Sequence, residues 1–179
     1  MGLLTAIGIS VGALVGVWVY ISLGIPSLDL ITWAGVIAWA IFYASGGGGA
    51  GFRKSIGSVV TGNLYAAIAL FAFGHIGGGT LGISIAFAIV TFFMCVQARF
   101  EPLSFIPGTF LGAGTWVGAA VAGKSGDGGA FTSASEIMIT ISMLAGVVFG
   151  IVSEVGYKKL LEAMPGHVVA PPASEVPQL

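Results

Sequence analysis

Charge is what this chain has least of. Its 179 residues carry six Lys and Arg against seven Asp and Glu. Charged residues make up 7% of the sequence, where soluble domains average about 25%. So few cannot cover the surface of a water-soluble domain of this size, so its outer surface must face lipid. A net charge of −1 provides no basic field for nucleic acid, whose binding needs Lys and Arg clustered against phosphates. A single cysteine, Cys95, excludes an intramolecular disulfide. Two histidines, His75 and His167, are expected on opposite membrane sides, and there is no carboxylate cluster, so no metal site is expected. No serine has a partnered base in sequence view, so no enzyme activity and no cofactor are expected. The glycine tract Gly46 to Gly49 lacks the Gly-Lys-Ser/Thr that a phosphate-cradling loop requires.

What the chain has in quantity is apolar sequence and glycine. Hydrophobic residues make up 56%, and there are 30 glycines. In lipid, small residues let helix backbones approach closely, and packing there holds helices together. A spanning helix needs about 20 apolar residues. Six runs come near that length: 2–24, 30–45, 56–73, 81–98, 103–122 and 133–157. The first has no positive charge ahead of it and is long for the apolar region of a signal peptide, so it reads as a mature helix. The expected fold is therefore all-α, a bundle of six transmembrane helices over residues 1–160. Residues 161–179 are polar and proline-rich and read as a disordered cytoplasmic tail. Trp18, Tyr20, Trp33 and Tyr157 fall near predicted span ends, where aromatics favour the interface. Trp39 and Trp116 fall nearer the middle and read as packed inside.

Thr32-Trp33-Ala34-Gly35 recurs as Thr115-Trp116-Val117-Gly118, 83 positions on. That echo would align the first three spans with the last three, as in transporters built from a three-plus-three inverted repeat. Gly8, Gly12 and Gly16 lie on one face of the first helix. They suit close helix packing, either within the chain or between subunits of a homo-oligomer. Pro107-Gly108 falls early in the fifth span. Either the fifth helix is broken there and lines a solute path, or a short helix begins at Ser104 with the prolines at its entry. Asn63, Gln97, Ser104, Pro107, Gly108 and Thr109 are the candidate solute-path residues, chosen for polarity or irregular backbone inside apolar sequence. For Asn63 the sequence favours helix-to-helix bonding. Glu154 and Lys158 stand four apart, a spacing that allows a helical ion pair.

Phe93-Met94-Cys95-Val96-Gln97-Ala98-Arg99 and Leu103-Ser104-Phe105-Ile106-Pro107-Gly108-Thr109-Phe110-Leu111-Gly112-Ala113 resemble the signature stretch of the YcdZ-like family of bacterial inner-membrane proteins. Trp33-Ala34-Gly35 and Phe42-Tyr43-Ala44 with the following glycines are similar to its second helix. The resemblance covers roughly residues 3 to 160. It implies location and topology but no chemistry, because the family has no assigned function. Arg99-Phe100-Glu101-Pro102 and the loop around Lys124 and Asp127 diverge from it.

Without visible buried acids there is no proton relay, and passive movement is the simpler mechanism. The leading expectation is a homo-oligomeric channel or facilitator in the lipid bilayer. It would pass a small polar solute such as urea, an amide, ammonia or a short organic acid. The alternatives are a substrate-binding membrane subunit of an ATPase-dependent importer and a non-transporting scaffold. Orientation follows from the basic residues of the short loops. With six spans, Arg53, Lys54, Arg99, Lys158 and Lys159 share one side and Lys124 alone takes the other. Both termini are then cytoplasmic. A green fluorescent protein fused at the C-terminus should fluoresce, and alkaline phosphatase inserted beside Lys124 should be active. The reverse pattern would overturn the orientation.

Overall fold

The computed structural model describes residues 2–121 and 134–163. Lys124, Asp127, His167 and residues 164–179 of the expected tail lie outside them. Six α-helices follow one another: α1 (Leu3–Gly24), α2 (Thr32–Ala44), α3 (Gly48–Ile76), α4 (Gly79–Val96), α5 (Ile106–Val121) and α6 (Ala134–Glu162). Short 3-10 turns over Pro26–Leu28, Gln97–Arg99 and Glu101–Leu103 complete the chain. There is no strand among the described residues. The expectation of an all-α fold holds.

Helix boundaries follow local chemistry. Pro26 stops α1, since it cannot donate to the helix ladder. Gly46, Gly47 and Gly48 turn the chain between α2 and α3 at φ of 101°, 64° and 60°, a region side chains avoid. The glycine tract is therefore a tight helix–helix turn and the start of α3. Arg53 and Lys54 consequently lie on α3 itself. α1, α3, α4 and α6 are long and apolar enough to cross a membrane. α2 and α5, with 13 and 16 residues, reach only about 20 and 24 Å at about 1.5 Å per residue. Each short helix is preceded by an irregular connector, residues 25–31 or 97–105, which extends its reach.

The contacts fix helix direction. Along α3 and α5, Ser58 meets Phe105 and Gly62 meets Thr109, so the two run parallel. Along α6 and α2, Ser142 meets Ile31 and Gly146 meets Gly35, also parallel. α3 and α6 run antiparallel, since Gly48 lies at Glu154 and Asn63 at Thr140. α1 runs against α6, with Ser10 at Ser153 and Trp18 at Phe149. Helices α1, α3 and α5 therefore point one way and α2, α4 and α6 the other.

These contacts form two matching sets. Ile31 and Gly35 correspond to Phe105 and Thr109, 74 positions on; Ser58 and Gly62 correspond to Ser142 and Gly146, 84 positions on. In each set a serine of the long helix bonds the residue that precedes the short one. Ser58 Oγ donates to the Phe105 carbonyl at 3.0 Å, and the Ile31 N–H donates to Ser142 Oγ at 2.9 Å. One turn on, a glycine of the long helix lies against a carbonyl of the short one: Gly62 against Thr109, Gly146 against Gly35. Three helices of alternating direction per half make the halves inverted copies. The inverted repeat stands, but the echo at 83 positions does not carry it. Trp33 is half-exposed near the start of α2, whereas Trp116 is buried in the second half of α5.

The core lies where α2, α3, α5 and α6 meet, around Ile41, Phe42, Val59, Ile139, Met143 and Val147. Trp39 and Trp116 are buried as expected, but so is Trp18, which packs on Gly35 and donates Nε1–H to the Thr32 carbonyl at 2.8 Å. Large apolar side chains such as Leu4, Tyr20, Leu81 and Phe92 point outward, a surface that water would disfavour.

A Cβ at Gly62 or Gly146 would overlap backbone of the neighbouring helix, whereas at Gly74 it would meet open space. Gly62→Ala and Gly146→Ala should each cost about 1–3 kcal/mol, the range for overpacking a tight interior. Gly74→Ala should leave stability unchanged or raise it by up to about 1 kcal/mol. Thermal unfolding in detergent would check all three, and equal effects would refute the packing assignment.

Candidate functional site

α4 gives way at Gln97 to two successive 3-10 turns. That places the Gln97 side chain between α3 and α5. Its Nε2 donates to Thr61 Oγ1 and to Thr109 Oγ1, both at 3.1 Å. Thr61 in turn donates to the Gly57 carbonyl at 2.7 Å. Gln97 is 7% exposed and Thr109 fully buried. The Gln97 Oε1 is shielded from solvent and has no hydrogen-bond partner among the described residues. An unpaired buried acceptor costs about 1–3 kcal/mol.

Asn63, half a turn along α3 from Thr61, is also buried. The surrounding bonds assign its amide: Nδ2 donates to the carbonyls of Gly112 at 2.9 Å and Val59 at 3.3 Å, and Oδ1 accepts from Thr140 Oγ1 at 2.9 Å. Asn63 thus clamps α3 to α5 and α6 at the close approach of Gly62, the bonding role the sequence favoured. Outside this clamp, Asn63 and Thr140 line an apolar groove with Val60, Leu64, Trp116, Ile137 and Ile141.

The other candidates separate from this cluster. Ser104 donates to the Glu101 carbonyl at 2.8 Å, within its own turn. Pro107 is exposed in the first turn of α5, where a missing N–H costs nothing because that donor would be unpaired anyway. α5 is accordingly continuous from Ile106 to Val121. The broken fifth helix is corrected to a short helix with its prolines at the entry. Gly108 is buried against Ser58 and Phe105. Gly8, Gly12 and Gly16 all face outward, with none of the described residues near a Cβ built on them. The reading of these glycines as packing within the chain is therefore corrected. Packing glycines lie instead at Gly35, Gly62, Gly146 and Gly150.

A second polar centre escaped the sequence reading. Ser153 Oγ accepts from Trp39 Nε1 at 3.0 Å, pairs with the Tyr43 hydroxyl at 2.7 Å and donates to the Gly150 carbonyl at 2.7 Å. The Ser153 carbonyl accepts from Ser10 at 2.8 Å, which ties α1 to α6. A serine within an apolar run gives no signal of such a role. Next to it, Glu154 Oε2 accepts the Gly48 N–H at 2.6 Å, holding the start of α3, while Oε1 pairs with Lys158. The helical ion pair thus forms as its spacing suggested. His75 bonds the Phe71 carbonyl at an exposed helix end. Among the described residues no three His, Cys, Asp or Glu gather as metal ligands.

Comparison with known proteins agrees with the resemblance in the signature stretch. The model of the family described as protein of unknown function (DUF1097) matches residues 8–157. The chain is similar to the uncharacterized protein YahC of Escherichia coli K12, 34% identical over 170 residues, covering 89% of this chain and 94% of that protein. It is also similar to the inner membrane protein YcdZ of E. coli K12, 35% identical over 63% of this chain and 68% of that protein. The inner membrane protein YcdZ of Salmonella typhimurium LT2 is 33% identical over 63% of this chain and 69% of that protein. No solved structure matches.

The Ser153 hub carries a direct test. Ser153→Ala leaves the buried Trp39 N–H without its acceptor and should cost about 1–3 kcal/mol. Ser84→Ala removes only an exposed bond within α4 and should change stability by less than about 0.5 kcal/mol. Detergent melting curves that place the two variants together would refute the hub.

Proposed function

We propose, for a chain that belongs to the DUF1097 family of proteins of unknown function, a role as passive facilitator for a small polar, uncharged solute. Its place would be the bacterial inner membrane, where the relatives named YcdZ reside by name. One observation carries this reading: an uncharged polar cluster, Gln97 with Thr61 and Thr109, held inside an otherwise apolar helix bundle. Buried polar side chains are costly in a membrane protein, and besides bonding helix to helix they line the paths of polar solutes. The inverted repeat adds support, since transporters of this construction place their sites where the two repeats meet. The cluster contains no carboxylate or ammonium, which suits a neutral solute moving down its gradient.

In this reading all six helices traverse the bilayer, with both termini cytoplasmic. α2 and α5 cross where the membrane is thinnest for them, with the largely exposed connectors before them lying at the interfaces. The outward glycine face of α1 supports a homo-oligomer, because Gly8, Gly12 and Gly16 would admit a second backbone closely.

Proteoliposomes should show permeability to one or more of urea, small amides and ammonia above protein-free controls in stopped-flow swelling. Thr109→Val should lower it by about tenfold, the effect of roughly 1.4 kcal/mol at a barrier. Ser104→Ala should leave it unchanged, since Ser104 stands apart from the cluster. A flat response to every solute would overturn the facilitator.

A further inference from the structure

We propose that Gln97 Oε1 is the binding point for an N–H donor of a small neutral amide-type solute, received beside the hydroxyls of Thr61 and Thr109. This rests on the facilitator reading and gives its solute a chemical class.

The Gln97 amide cannot satisfy its own oxygen. Both Nε2 protons are committed, one to Thr61 and one to Thr109. Turned over, the amide would set its oxygen at the Thr109 hydroxyl and its N–H groups where Oε1 now stands without a partner, so one polar atom of the amide is left over either way. Thr61 could not compensate, because its hydroxyl proton already goes to the Gly57 carbonyl. With Thr61 committed to Gly57, the orientation in which Nε2 serves both threonines leaves the amide oxygen as the acceptor to spare. A spare acceptor recognises a donor, and a carboxamide oxygen suits N–H. Thr109 accepts at Oγ1 and has a proton of its own, which can serve the carbonyl of the same solute. Such a pair matches an amide or urea, which carries donor and acceptor side by side.

The cluster holds no ionised side chain, so a charged solute would lose hydration without a counter-charge. The described site is occluded, because Oε1 is shielded from solvent. It also sits at the end of α4, where the helix passes into the two 3-10 turns. Arg99, Phe100, Glu101 and Pro102 of those turns are exposed. A solute reaches Oε1 only if this connector shifts, which parts the Pro102 carbonyl from Gly57 but leaves the contacts of Gly62 and Gly146 in place.

Two isomers of equal composition provide the test. Propionamide carries two N–H donors, and N,N-dimethylformamide carries none. Propionamide should raise the melting temperature of the purified protein in detergent, and N,N-dimethylformamide should not. In Gln97→Met, which keeps the length of the side chain without its amide, the propionamide shift should vanish. Propionamide flux into proteoliposomes, measured above protein-free controls, should fall at least tenfold. Equal shifts from both isomers on the unaltered protein, or no shift from either, would overturn the proposal without needing any variant. So would a propionamide shift that persists in Gln97→Met, the result expected if Oε1 only holds a structural water. Flux that ignores the Gln97 substitution would leave a facilitator but sink this site. A donor-selective shift without flux would keep the site and sink the facilitator.

Discussion

Backbone against backbone is the contact on which this fold depends. At Gly62 and Gly146 the long helices α3 and α6 come so close to a carbonyl of a short helix that no side chain fits between. Where no water drives helices together, such approach is a main source of packing energy. It also fixes depth, since only one register sets each glycine opposite its carbonyl. The serine one turn earlier in each long helix then meets the start of the short one. The Asn63 clamp is built on the same approach, because only there does its amide reach the Gly112 carbonyl of α5.

The two halves share this scaffold and differ in what they place on it. Thr61 and Asn63 of α3 correspond to Ala145 and Val147 of α6, while Ser153 of α6 corresponds to Ala69 of α3. One half therefore holds the amide and threonine cluster, and the other holds the Ser153 hub with its two aromatics. In the hub every polar atom of Ser153 is engaged, whereas the Gln97 cluster keeps an acceptor unpaired. That asymmetry separates a fastening from a candidate site within one repeated architecture.

Much of the fold was legible because its signals are long. Runs of apolar residues gave the helices, proline and glycine gave their ends, and the spacing of Glu154 and Lys158 gave the ion pair. Close contacts were less legible. The regular spacing of Gly8, Gly12 and Gly16 looks like a packing face, yet the glycines that pack within the chain lie elsewhere, and Gly146 and Gly150 show the same four-residue spacing. Spacing alone does not tell the two cases apart, because a contact also needs a partner far along the chain. The repeat was suspected from the wrong echo, since its halves share contact geometry rather than residues. Of the candidate residues, Gln97 and Thr109 converge because the 3-10 turns fold α4 back toward α5. Ser104 and Pro107 belong to the entry of α5 instead. Polarity in an apolar segment pointed to all of them alike, and it carries no information about which way a side chain turns.

Inversion also bears on how such a chain enters a membrane. A body made of two copies pointing in opposite directions looks much the same to a bilayer when turned over. Its helices, its close-packed glycines and the serines beside them supply almost no preference between the two insertions. In the proposed six-span topology the choice falls to a handful of charges: Arg53, Lys54, Arg99, Lys158 and Lys159 expected on one side against Lys124 on the other. The scarcity of charge that marks the sequence from its first line thus leaves its handedness in the membrane to six side chains. A few charge exchanges among them would be enough to make the population insert both ways.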